Sequence, residues 1–73
     1  MNKQRRREIA EEIRKIERVV SSILADEEFA FDNMPENLQY SERGDASQEA
    51  QDNLSSAVDS LEEAISYLEE ASE

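Results

Sequence analysis

Apolar residues recur at helical spacing in the first half of the chain. At intervals of 4, 3, 4 and 3 residues, they are Ile9, Ile13, Ile16, Val20 and Ile23. This is the spacing of heptad a and d positions on one side of an α-helix. The pattern ends at Asp32-Asn33-Met34-Pro35, because Asn and Asp favour turns and proline disfavours a helical residue before it. We predict a first helix over residues 3–32 and a turn over 33–40.

The second half repeats this spacing. Its apolar positions are Leu54, Val58, Leu61, Ile65 and Leu68. Alanines recur every seven residues beside them, at Ala50, Ala57, Ala64 and Ala71. A strip without bulky side chains lets a neighbouring helix approach closely, toward the lower end of the usual range of about 8–10 Å. We predict a second helix over residues 41–72, with Ser41 and Asp45 as alternative N-caps.

Two long helices joined by a short linker predict an all-α fold, an antiparallel two-helix hairpin. Charge favours the same arrangement. Residues 1–18 carry a net charge of +3 and residues 19–73 a net charge of −14. An antiparallel hairpin places the basic Arg5–Arg7 beside the acidic Glu69, Glu70 and Glu73, and each group alone opposes its own helix dipole. A parallel arrangement lacks these pairs.

A hairpin of this size has few apolar side chains with which to build a core. We therefore expect self-association, most simply as a twofold dimer in which two hairpins form a four-helix bundle. The ten heptad residues listed above, five in each helix, form the predicted oligomer seam. Tyr67 lies off this seam and is expected either to cover a dimer edge or to stay exposed.

Composition narrows the possible functions. The chain has 73 residues, 19 acidic and 8 basic, with a net charge of −11 and neither His nor Cys. The negative charge disfavours direct binding to nucleic acid. Without His and Cys there is no thiol nucleophile and no common general base, so we expect neither an enzyme nor a cofactor. The acidic clusters lack the ligand spacing of a calcium loop, and no metal site is predicted. No apolar run has the length of a signal or membrane segment, so we expect a soluble intracellular protein without membrane contact.

The predicted turn region is the most acidic part of the chain. Residues 26–52, here called the acidic pole, hold nine acidic residues and one Arg, a net charge of −8. Phe29, Phe31, Met34, Leu38 and Tyr40 lie among these charges. Apolar anchors within an anionic rim are typical of a surface that binds a basic protein. The predicted contact residues are Asp26, Glu27, Glu28, Phe29, Asp32, Glu36, Tyr40 and Glu42.

A structural interpretation competes with this one. Phe31, Met34 and Leu38 are expected to close the open end of the hairpin, with the acidic side chains merely solvated. Phe29 and Tyr40 lie off the apolar seam, so they are the better candidates for exposed contacts.

Four segments are distinctive: DNMPENLQ at 32–39, SERGD at 41–45, LEEAISYLEEA at 61–71 and the opening MNKQRRREI. They resemble segments of a group of short acidic two-helix proteins encoded by phages and prophages of Gram-positive bacteria. The resemblance implies a small phage accessory protein in the host cytoplasm. Such proteins often bind and inhibit a host protein, in some cases a defence system.

Three functional hypotheses follow. The first is an inhibitor or adaptor that binds a basic surface of a host protein by imitating the charge of nucleic acid. The second is a structural or assembly component, a helical oligomer without a host target. The third, an enzyme, has no support in the residue pattern.

Overall fold

The computed structural model describes residues 2–71, which form three helices and no strand. Helix α1 spans Lys3–Asp32, the short helix α2 spans Glu36–Gln39, and helix α3 spans Glu42–Ala71. The all-helical class predicted from the heptad patterns is confirmed. Of the charged residues invoked above, Glu73 lies outside the described residues.

Helix α1 has side-chain caps at both ends. Asn2 Oδ1 accepts a hydrogen bond from the Arg5 backbone N–H at 2.8 Å, which satisfies one of the free donors of the first turn. At the other end, the backbone N–H and the side-chain amide of Asn33 both donate to the Phe29 carbonyl, at 3.1 and 2.8 Å. These bonds stop α1 just before Pro35.

The beginning of α1 lies beside the end of α3. The Arg6 guanidinium donates to the Ala71 carbonyl, and Arg14 forms a salt bridge with Glu69. A cation at the last carbonyls of a helix is favourable because that end carries the negative pole of the helix dipole. The two contacts therefore place the basic start of the chain against the acidic end of α3.

Apolar residues from both helices meet along this contact. Ala10 of α1 and Ile65 of α3 are 2% and 8% exposed. The half-buried apolar residues are Ile13, Val20, Leu24 and Phe31 in α1, and Ala50, Leu54, Val58, Leu61, Ala64 and Leu68 in α3. The five apolar seam positions predicted for α3 are thus all at least half-buried.

The five residues of the predicted α1 seam differ in burial. Ile13 and Val20 are half-buried, whereas Ile9, Ile16 and Ile23 are 36%, 52% and 49% exposed. The cause is the width of the apolar stripe, because α1 also carries apolar residues one position after the predicted d positions, at Ala10 and Leu24. One neighbouring helix cannot cover so wide a stripe, and α3 covers its Ala10 and Leu24 side.

Candidate functional site: the acidic pole

The predicted turn contains a helix that the sequence pattern did not indicate. After Pro35, the backbone N–H groups of Leu38 and Gln39 both donate to the Pro35 carbonyl, at 2.8 and 3.1 Å. The turn predicted over residues 33–40 thus includes one turn of helix, Glu36–Gln39. Proline opens this turn of helix well, because its fixed φ suits the first turn and its missing N–H is not needed there.

Gln39 ties the pole to the end of α1. Its side-chain amide donates to the carbonyls of Phe31 at 3.1 Å and Met34 at 3.2 Å. These are carbonyls at and after the end of a helix, where intrahelical partners are missing. One side chain thus holds α2 against the C-terminus of α1.

Gly44 lets α3 begin directly against α2. It is buried in the first turn of α3, and a Cβ built on it would overlap the backbone carbonyl of Gln39. Here glycine is required for the close approach of two backbones, which outweighs its low helix propensity. The helix starts at Glu42, and the first backbone bond runs from the Asp45 N–H to the Ser41 carbonyl at 3.0 Å. The Ser41 hydroxyl donates to the Leu38 carbonyl.

The aromatic and apolar residues of the acidic pole fall into two groups. Phe31, Met34 and Leu38 are half-buried, as expected of side chains that close the end of the helix pair. Phe29 and Tyr40 are 71% and 82% exposed. Within residues 2–71, they are the two most exposed of the large apolar and aromatic side chains.

The predicted contact residues are almost all accessible. Glu27 is half-buried, while the other seven of the set are exposed: Asp26, Glu28, Phe29, Asp32, Glu36, Tyr40 and Glu42. No salt bridge among the described residues involves these acids. The carboxylates at this end therefore project their charge into solvent around two exposed aromatic rings.

Residues 2–71 contain no group of three or more acidic side chains arranged to hold a metal ion. None of the described helices is long and apolar enough to cross a membrane. Comparison of the chain with protein-family models, curated proteins and solved structures gives no match.

Proposed function

We propose that this chain is a non-enzymatic accessory protein of phage type that binds a basic surface of a host protein through its acidic pole. The exposure of Phe29 and Tyr40 within the most acidic part of the chain carries this proposal. Exposed aromatic side chains supply binding energy at the centre of interfaces, while surrounding charges speed association and select the partner. The acidic pole combines both features at one end of the helix pair.

The geometry of the pole supports a preformed binding surface. The hydrogen bonds of Gln39 hold α2 against the end of α1, and the close contact at Gly44 holds the beginning of α3 against α2. A surface that is ordered before binding loses little conformational entropy on association. Phe29 and Tyr40 are therefore presented from a fixed backbone.

The biological setting is proposed from the resemblance to small phage and prophage proteins. It favours action in the host cytoplasm, as an inhibitor of a defence protein or of a nucleic-acid-binding protein. A partner with a groove for nucleic acid carries the positive charge that a chain of net charge −11 attracts. The working unit is proposed to be the antiparallel hairpin, two of which form a four-helix bundle.

The test is affinity capture from host lysate with two variants of equal charge. The pole variant changes Asp26→Asn, Glu27→Gln, Glu28→Gln, Asp32→Asn and Glu36→Gln. The control variant changes five acidic residues outside the pole: Glu11→Gln, Asp59→Asn, Glu62→Gln, Glu63→Gln and Glu70→Gln. We expect the wild type and the control to capture the same host protein and the pole variant to lose it. Equal capture by both variants contradicts the proposal.

A second candidate function, a structural oligomer without a host target, is favoured by the exposed isoleucines of α1. In that case only changes on the self-association surface abolish function, and the pole variant behaves as wild type. The same pair of variants therefore separates the two candidates.

A further inference from the structure

A strip of apolar side chains runs along the helix pair, on the side opposite the Arg14–Glu69 salt bridge. At 100° per residue, Ile9, Ile16 and Ile23 are separated from Arg14 by about 140–180° around α1. On α3, Ala64 and Ala71 are separated from Glu69 by about 140° and 160°. Because Arg14 and Glu69 meet on one side of the pair, both columns lie on the other.

We call this the isoleucine–alanine face. It comprises eight residues, four from each helix: Ile9, Ile16, Val19 and Ile23 of α1, and Ala50, Ala57, Ala64 and Ala71 of α3. Val19 is 58% exposed and lies between Ile16 and Ile23 on the outer edge of the face. Tyr67, 62% exposed, borders the alanine column. None of the eight side chains is charged, although Arg5 and Glu12 border Ile9 at the beginning of α1.

The chain exposes more surface than a typical monomer of its mass, and the difference is close to the area that one partner buries. The accessible surface is 5474 Å², and the helix pair is elongated, 54 by 14 by 12 Å. A monomer of 8.4 kDa typically exposes about 4600 Å². The excess of about 900 Å² is close to the ~800 Å² that each partner buries in a standard interface.

The two columns are complementary in size, which favours a second copy of the chain as the partner. A large column on one helix and a small column on its neighbour fit when each isoleucine column lies over the alanine column of the other copy. A twofold axis parallel to the helices produces this contact twice. It also places every helix antiparallel to both of its neighbours, the favourable arrangement for helix dipoles.

We propose that two copies of this chain associate through the isoleucine–alanine face, with Ile9, Ile16 and Ile23 of one copy over the alanines of the other. The interface is thus the outer part of the α1 stripe, while Ile13 and Val20 remain in the contact with α3. This proposal does not depend on the acidic pole having a partner.

Sedimentation equilibrium of the full-length chain at micromolar concentrations tests the dimer. The face variant is Ile16→Lys with Ile23→Lys, and its control is Ser22→Lys with Ala25→Lys, both exposed positions of α1 outside the face. Both variants reduce the net negative charge equally, so a difference between them cannot come from net charge. We expect the face variant to raise the dimer dissociation constant at least about 100-fold, from two lost isoleucine burials. A monomeric wild type, or equal behaviour of the two variants, overturns the proposal.

Cysteine cross-linking tests the same contact if the face variant unfolds. The chain has no native Cys, so each introduced Cys is the only thiol in its chain. Arg6 contacts Ala71, and the two helices run in opposite directions. Ile23 is 17 residues after Arg6, so it lies at the height of Leu54, which is within one turn of Ala57. Mixed Ile23→Cys and Ala57→Cys chains should form a heterodisulfide. A mixture of Ser22→Cys and Ser56→Cys chains, on the outer sides of both helices, should not. Equal cross-linking of both mixtures contradicts the arrangement.

Discussion

Arg14 of α1 and Glu69 of α3 form a salt bridge that joins the two long helices near the chain ends. Their side chains are 41% and 53% exposed, so water screens much of their attraction. The salt bridge adds little stability, but it shows which sides of α1 and α3 lie together. Its position leaves the isoleucine–alanine face on the opposite side.

A double-mutant cycle measures this pair. Arg14→Ala, Glu69→Ala and the double variant should give a coupling energy of about 0.2–1 kcal/mol in urea unfolding, as for other exposed pairs. The coupling should decrease at high salt. The pair Lys15 and Glu12, within α1 at 3.0 Å, provides a local comparison that does not connect the helices. Absence of any coupling would indicate that the two helix ends do not meet in solution.

Gly44→Ala is predicted to destabilise the fold. At an exposed helix position this substitution stabilises by about 1 kcal/mol, but here the new Cβ overlaps the Gln39 carbonyl. We expect a loss of about 1–3 kcal/mol in the free energy of unfolding, the usual cost of overpacking. Ser56 is an exposed position of the same helix and serves as the reference. There, the Ser56→Ala variant should be more stable than the Ser56→Gly variant. An increase in stability for Gly44→Ala would contradict the observed approach of the two backbones.

Gln39→Met is predicted to loosen the pole while leaving the long helices intact. Methionine has similar size but donates no hydrogen bond, so the carbonyls of Phe31 and Met34 lose their contact with the side-chain amide. The cost is about 1–3 kcal/mol for partners left without a bond in a partly buried site. Hydrogen exchange should accelerate over residues 31–41 and stay unchanged near Leu61. Uniform acceleration along the chain would instead mean a global effect.

Salt is predicted to strengthen self-association. Two chains of net charge −11 repel each other, and the proposed twofold axis brings both acidic poles to the same end. Screening reduces this repulsion, so the dimer dissociation constant should fall as sodium chloride rises. Sedimentation equilibrium over a salt series measures this directly. A dimer that dissociates with added salt would require attractive charge pairs across the interface, contrary to a contact made by the eight uncharged side chains.

The sequence predicts the long helices well because their heptad spacing is sustained over several turns. It does not predict which part of the α1 stripe faces α3, since Ile16 and Leu24 are equally apolar and only packing separates them. The helix at Glu36–Gln39 was missed because one helical turn has no periodicity. The close contact of Gly44 with Gln39 depends on the path of the whole turn, which no local pattern reveals.

If the proposed function is correct, the acidic pole carries partner binding and no other acidic part of the chain does. The most direct measurement is the affinity of the captured host protein for the wild type, the pole variant and the charge-matched control over a series of salt concentrations. Wild type and control should bind equally well and weaken steeply with salt, because exposed charges supply the attraction. The pole variant should bind weakly and with little dependence on salt. Equal loss of affinity in both five-site variants would show that net charge alone matters, and would contradict the claim.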